Sequence, residues 1–277
     1  MEREGTNESE GARALTVAEA ALLGIVQGLT EFLPVSSSGH LALFRKLLGL
    51  EGGGLTFEVM VHFGTLVAVL AALRSDWLPI ATGLFRRAER GEALRKAALL
   101  AAGTLPVGVL GLGLQGAVEA AFSSAKAVGV FLLFTGGVLW ASEGLARRAR
   151  AAKALEEISI ADALVVGCAQ AVAILPGVSR SGMTIGAGLA RGAGREAAAR
   201  FAFLLSIPAI LGAAVVELPD LLSAGIEGSV PVLVGAAAAA LSGYASIRFF
   251  LGFLRERSLR PFAYYTWAAG LLALILL

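Results

Sequence analysis

The distribution of apolar and polar positions divides this chain of 277 residues into two similar halves. Long apolar runs predict six membrane-spanning helices, near 56–73, 97–115, 127–145, 201–218, 230–248 and 262–277. Before each set of three runs comes an apolar stretch, 15–50 or 160–192, which is interrupted at a proline. The pieces of these stretches are too short or too polar to cross about 30 Å of hydrocarbon. The pattern therefore predicts two re-entrant helical hairpins, at 15–33 with 38–50 and at 160–176 with 181–192.

The two interrupted stretches also resemble each other in sequence. A shift of 143 positions aligns residues 24–39 with 167–182 without a gap and brings six identical pairs together: Gly24 and Gly167, Gln27 and Gln170, Val35 and Val178, Ser36 and Ser179, Ser38 and Ser181, Gly39 and Gly182. The alignment predicts one membrane domain, 1–277, built from repeats at 15–145 and 160–277. Three crossings separate the hairpins, so the second repeat is expected to be inverted, with broken helices of both halves meeting near the membrane midplane.

The composition supports a membrane protein. Hydrophobic residues make up 57% and charged residues 16% of the chain, whereas soluble domains average roughly 45–50% and about 25%. The predicted fold class is an all-α polytopic membrane protein, for which no nucleic-acid partner is expected. The single cysteine, Cys168, excludes an internal disulfide. The Gly182-xxx-Gly186 and Gly188-xxx-Gly192 spacings allow close helix packing and leave a homodimer open.

Basic residues are concentrated in alternate connections. The connections at 74–96, 146–160 and 249–261 are rich in arginine and lysine. Those at 116–126 and 219–229 together contain a single basic residue, Lys126. The positive-inside rule places the basic connections in the cytoplasm. Both chain termini are then predicted to be periplasmic, and the first hairpin is predicted to enter from the periplasm.

The first hairpin carries a dense set of candidate site residues. Gln27 and Glu31 are four residues apart and share a helix face. Their oxygens are ligands that suit Mg²⁺ or Ca²⁺, although a hydrogen bond between helices would also explain them. The run Ser36-Ser37-Ser38-Gly39 places hydroxyls and N–H groups at a helix N-terminus, which favours phosphate. A simple helix cap is the alternative.

Two further residues have the chemistry of a phosphoryl-transfer site. His40 lies one helical turn beyond Ser37 and could act as its general base, or it could be structural. Arg180 lies between Ser179 and Ser181 in the second hairpin, where a guanidinium could bind phosphate in a bidentate manner. An ion pair between Arg180 and Glu31 is the alternative. His62, in the middle of a predicted span, is interpreted as structural.

The segments QGLTEFLPVSSSGH (27–40) and PGVSRSGMT (176–184) resemble the two signature motifs of the undecaprenyl-diphosphate phosphatase family, the bacitracin-resistance membrane proteins. The resemblance continues through FEVMVHFGT (57–65) and FAFLLSIPAILGA (201–213). It implies hydrolysis of undecaprenyl diphosphate to undecaprenyl phosphate and phosphate, which recycles the lipid carrier for peptidoglycan synthesis. It also implies a divalent cation, the bacterial inner membrane, and an active site open to the periplasm.

The resemblance assigns roles residue by residue. It implies catalytic roles for Ser37, His40 and Arg180, and metal binding by Glu31 and Gln27, although the family often has glutamate at the latter position. Phosphate binding is implied for the remaining small polar positions of the two motifs: Ser36, Ser38, Gly39, Ser179, Ser181 and Thr184. The expected mechanism is in-line attack by Ser37 with His40 as base, and attack by a water activated by His40 stays open.

A lipid or anion transporter is the alternative function. Inverted repeats with broken helices are typical of transporters, and a fold does not determine a function.

Overall fold

The chain folds into a bundle of eleven α-helices across the residues that the computed structural model describes, 15–50, 54–113, 125–147, 152–224 and 229–276. The helices are α1 (Val17–Phe32), α2 (Ser37–Leu48), α3 (Gly54–Ala72), α4 (Arg74–Gly83), α5 (Arg90–Gly113), α6 (Ala125–Ala146), α7 (Ile160–Val172), α8 (Arg180–Ala190), α9 (Arg195–Ala224), α10 (Ser229–Glu256) and α11 (Arg260–Leu276). These ranges contain no β-strand, and a short 3₁₀ helix at Leu155–Glu157 precedes α7.

Five of these helices are long and apolar enough to cross a membrane: α3, α5, α6, α9 and α10. They correspond to five of the six predicted spans, and α11 covers the sixth with 17 residues. The all-α polytopic membrane fold is confirmed. Helices α1, α2, α7 and α8 are shorter and form two helix pairs at the predicted positions of the hairpins.

Proline and serine determine where the hairpin helices end and begin. Leu33 precedes Pro34 and has extended backbone angles, φ −69° and ψ 143°, which ends α1. Helix α2 begins after Ser36, whose hydroxyl accepts a hydrogen bond from the Gly39 N–H at 3.3 Å. Helix α8 begins in the same way, since the Ser179 hydroxyl accepts from the Gly182 N–H at 3.1 Å. The two serines occupy equivalent positions in the 143-residue alignment.

One prediction about the connections is wrong. The region 74–96 was expected to be a loop, but it contains α4 and the first turns of α5. Helix α4 tolerates Pro79 in its interior because packing supports it: Ile80 is buried, and the Trp77 indole N–H donates to the Leu70 carbonyl at 2.8 Å. Tertiary contacts here outweigh the helix-breaking tendency of proline.

The packing of the helices follows the order expected for an inverted repeat. Helix α1 packs mainly against α10, and α7 packs against α5. The 143-residue shift carries the start of α5 to residue 233, which lies inside α10. The partners of α1 and α7 are therefore equivalent helices of the two halves. Both pairs need glycine at the contact, because a Cβ at Gly24 would lie 2.2 Å from the Gly235 carbonyl oxygen and one at Gly167 2.5 Å from the Gly103 carbonyl oxygen. The repeat boundaries 15–145 and 160–277 stay a prediction that this pairing supports.

The basic connections meet at one end of the bundle. The Arg95 guanidinium donates to the Glu156 carbonyl at 3.0 Å, and Arg200 forms an ion pair with Asp76 at 2.8 Å. The Leu259 N–H donates to Glu143 at 3.2 Å. The connections predicted to share a side of the membrane are therefore close together. Which side faces the cytoplasm stays a prediction.

Three of the four glycines whose spacings left a homodimer open are packed inside the chain, whereas a Cβ at Gly192 would meet open space. A Cβ at Gly182 would contact Ser179, one at Gly186 would contact Val138, and one at Gly188 would contact Ala198. These faces of α8 are covered by the chain itself. The homodimer is therefore left without support from these glycines.

Candidate active site

The turns of the two hairpins contact each other inside the bundle. The Ser181 hydroxyl donates to the Leu33 carbonyl at 2.9 Å, and the Gly177 N–H lies 3.5 Å from the Ser38 hydroxyl oxygen. A Cβ at Gly39 would lie 3.4 Å from the Gly177 Cα. This contact brings the N-termini of α2 and α8 together beside the C-terminus of α1.

Glu31 is at the centre of this junction. Its carboxylate accepts hydrogen bonds from the Arg180 Nη2 at 2.5 Å, the Ser37 hydroxyl at 2.5 Å and the Gln27 Nε2 at 3.0 Å. The side chain of Glu31 is 6% exposed and that of Arg180 is 21% exposed. The ion pair that the sequence left open as an alternative for Arg180 is thus formed. It joins a residue of the first hairpin to one of the second.

The serines next to Ser37 have different tasks from Ser37 itself. Ser36 and Ser179 are helix caps, as described above. Ser38 bonds to Ser36 at 3.3 Å, and Ser181 bonds to Ser179 at 3.1 Å. Among the serine hydroxyls of the first hairpin turn, that of Ser37 donates to the Glu31 carboxylate. The capping interpretation therefore holds for Ser36, whereas the side chain of Ser37 does not cap α2.

Thr184, which the resemblance assigns to phosphate binding, is buried in α8. Its hydroxyl donates to the Arg180 carbonyl at 2.8 Å, within its own helix. A hydroxyl that bonds one turn back along a helix has its proton occupied. Thr184 therefore supports the first turn of α8, and its phosphate-binding role stays a prediction.

His40 does not bond to Ser37 in this structure. Its Nδ1 lies 2.8 Å from the Ser36 carbonyl oxygen, and its Nε2 lies 2.8 Å from the Tyr265 hydroxyl. A carbonyl only accepts, so Nδ1 carries the proton and Nε2 accepts from Tyr265. The hydrogen bond that was expected between Ser37 and His40 is therefore not formed. Side chains on a helix lean toward its N-terminus, which turns the imidazole to Ser36 and leaves Ser37 free to reach Glu31.

A cavity of about 260 Å³ lies against the junction. Glu31 and Arg180 form its polar wall, and two further ionisable side chains line it, His62 from α3 and Glu217 from α9. The rest of the wall is apolar: Val59, Val107, Ala209, Ile210, Ala213 and Ala214. Sequence reasoning interpreted His62 as structural and left out Glu217. The signal for both was an ionisable residue within an apolar span.

A sequence profile of the family described as "Bacitracin resistance protein BacA" matches residues 20–272. The chain belongs to this family. It is 44% identical over 264 residues to an undecaprenyl-diphosphatase of Halothermothrix orenii, covering 95% of this chain and 98% of that relative. It is 45% identical over 263 residues to one of Carboxydothermus hydrogenoformans, covering 93% and 96%. An undecaprenyl-diphosphatase of Rubrobacter xylanophilus is 45% identical over 273 residues, with 95% and 99% covered.

The resemblance described above implies a divalent cation, but the described residues do not form a resident metal site. The described part of the chain contains no group of three or more histidine, cysteine, aspartate or glutamate side chains that could hold an ion. Both Glu31 oxygens already accept hydrogen bonds, and the Gln27 amide turns its N–H to Glu31. The buried Gln27 Oε1, which has no partner among the described residues, is one ligand and does not make a site alone.

Proposed function

We propose that this member of the bacitracin-resistance family hydrolyses undecaprenyl diphosphate to undecaprenyl phosphate and inorganic phosphate. The main support for the proposal is the position of Glu31. Its carboxylate accepts hydrogen bonds from the Ser37 hydroxyl of the first hairpin and from the Arg180 guanidinium of the second. The names of the relatives, undecaprenyl-diphosphatase, indicate the same chemistry. Regeneration of the monophosphate would supply lipid carrier for peptidoglycan synthesis.

In the proposed reaction the Ser37 hydroxyl attacks the terminal phosphorus. Glu31 accepts the hydroxyl proton, because its carboxylate is the group bonded to that hydroxyl. This assignment replaces His40 as the base of the attack. His40, held between Ser36 and Tyr265, positions the start of α2. The bond between the terminal phosphorus and the bridging oxygen breaks, and undecaprenyl phosphate leaves.

Arg180 stabilises the charge on the phosphoryl oxygens in this proposal. Its guanidinium is paired with Glu31 and also lines the cavity, so it can exchange the carboxylate for phosphate when the substrate enters. The N-termini of α2 and α8 add N–H groups at the same junction. Positioning and charge stabilisation provide most of the catalysis in phosphoryl transfer.

The lipid and the cation complete the proposal. The apolar wall of the cavity suits the first part of a prenyl chain, and the remainder would lie in the surrounding membrane. Mg²⁺ or Ca²⁺ would arrive with the diphosphate, since the protein residues do not form a resident site. We place the chain in the bacterial inner membrane with its active site open to the periplasm, on the basis of the charge distribution.

The test is phosphate release from undecaprenyl diphosphate by purified protein in detergent. We expect equal molar amounts of phosphate and undecaprenyl phosphate. A transporter needs a sealed membrane, and a phosphatase does not. If the detergent sample leaves the lipid intact while sealed vesicles move it between leaflets, the proposal is wrong and the transporter alternative holds.

A further inference from the structure

The reaction proposed above needs a second proton acceptor, and the structure offers one to which the sequence analysis assigned no chemical role. Release of phosphate consumes one water molecule, and that water must lose a proton as it attacks phosphorus. The group that takes this proton must lie on the cavity where the terminal phosphate would bind. Among the described residues, the ionisable side chains on the cavity wall are those of Glu31, Arg180, His62 and Glu217.

His62 has the hydrogen bonding of a base that is ready to act. Its Nδ1 lies 2.8 Å from the Glu58 carbonyl oxygen one turn earlier in α3, so Nδ1 carries the proton. Its Nε2 therefore presents a lone pair, and no described residue donates a hydrogen bond to it. The orientation of the ring is thus fixed by its own helix.

His40, the histidine of the signature motif, has a different environment. Its Nε2 already accepts from the Tyr265 hydroxyl, and the side chain does not line the cavity. The residue is 4% exposed. A water molecule in the cavity would meet His62 without displacing any protein hydrogen bond, whereas reaching the Nε2 of His40 would require Tyr265 to move.

We propose that His62 is a catalytic residue, the general base for the water that releases phosphate; this inference rests on the proposed hydrolysis. The water oxygen forms a bond to the phosphorus carried by Ser37, and the bond between the Ser37 oxygen and phosphorus breaks. The Nε2 of His62 takes one water proton. Ser37 recovers the proton that Glu31 had accepted, and the products are inorganic phosphate and the original serine. His62 then returns its proton to solvent.

A purely structural histidine would explain the bond to Glu58 but makes different predictions. A structural role should lower thermal stability when the ring is removed and should leave the catalytic rate of the folded protein unchanged. A base should lower kcat with little change in KM, and the lost rate should return with an external base that fits the vacated space.

The experiment uses the full-length protein in detergent with undecaprenyl diphosphate. We expect His62→Gln to lower kcat by at least about tenfold with KM within about twofold of wild type. We expect imidazole to restore activity to His62→Ala in a saturable manner and to leave wild type unchanged. Phe63→Leu is the matched control: Phe63 is the next residue of α3, is 37% exposed and does not line the cavity. It should keep wild-type kinetics.

The outcomes separate this inference from the proposed function. Wild-type protein that releases no phosphate contradicts the proposed hydrolysis itself. Active wild-type protein combined with His62 variants that keep their kcat within about twofold overturns only the role of His62. The same conclusion follows if imidazole restores no activity to His62→Ala and the variant melts well below the wild-type temperature, because partial unfolding then accounts for the loss.

Discussion

Removal of the charge of Arg180 should destabilise the protein more than removal of the charge of its partner Glu31. In Arg180→Gln, a carboxylate that is 6% exposed loses its ion-pair partner and keeps hydrogen bonds from Ser37 and Gln27. Loss of one partner of a buried ion pair costs about 3–5 kcal/mol. The two remaining hydrogen bonds place the expected loss at the lower end, about 3 kcal/mol.

The reciprocal change should cost less. In Glu31→Gln, the guanidinium left behind is 21% exposed and lines the cavity, where water can solvate it. We expect a loss of about 2 kcal/mol, the value of a hydrogen bond to a charged group. In the double variant neither charge is left unpaired. Its loss should be about 2 kcal/mol smaller than the sum of the two single losses.

The assay is thermal unfolding in detergent, followed by tryptophan fluorescence. A loss of about 3 kcal/mol corresponds to a decrease in Tm of roughly 6–12 °C for a chain of this size. Arg86→Gln is the matched control, because Arg86 pairs with Glu89 at the surface, where the two side chains are 65% and 50% exposed. It should cost no more than about 1 kcal/mol. Additive losses in the double variant, or equal losses for Arg180→Gln and Arg86→Gln, would refute the buried-pair reasoning.

Three other predictions concern activity and topology. Arg180→Lys keeps the charge but loses the planar guanidinium, so activity in a phosphate-release assay should fall at least about tenfold, roughly 1.4 kcal/mol. Turnover near the wild-type rate would contradict the proposed binding of phosphate by Arg180. Ser37→Ala loses a hydrogen bond to the charged Glu31 and should be about 1.5–3 kcal/mol less stable, yet it should be folded at the assay temperature and nearly inactive. Ser38→Ala should keep substantial activity, and substantial turnover by folded Ser37→Ala would assign the attack to water. In a background without the native cysteine, an impermeant maleimide should label Lys126→Cys in intact cells and should not label Ala88→Cys; the reverse pattern would invert the topology.

The hairpins could be predicted from the sequence because local chemistry determines them. Pro34 and the Pro176-Gly177 pair disfavour a helical backbone at the two hairpin turns, and serines at 36 and 179 cap the helices that follow. Helix α4 could not be predicted, since its proline and charges indicate a loop and only packing against neighbouring helices supports it.

The sequence pointed to the residues that meet at the junction of the hairpins, but part of their geometry could not be predicted. The sequence offered an ion pair between Glu31 and Arg180 as an alternative, because charged side chains at membrane depth are costly unless they pair with an opposite charge. It paired Ser37 with His40, because a spacing of three residues gives a shared helix face but does not determine the side-chain torsions. The cavity wall formed by His62 and Glu217 depends on how α3 and α9 pack beside the hairpins, which no local pattern encodes.

The most direct test of the account compares phosphate release by purified wild-type protein and by Glu31→Gln, in detergent, from the same undecaprenyl diphosphate. Glu31 is the residue to which both Ser37 and Arg180 bond, so its carboxylate should be essential for the chemistry. We expect wild-type protein to release one phosphate for each undecaprenyl phosphate formed, and the folded variant to be slower by at least about a hundredfold, roughly 2.7 kcal/mol. A wild-type sample that releases no phosphate, or a variant that releases it at the wild-type rate, would contradict the account.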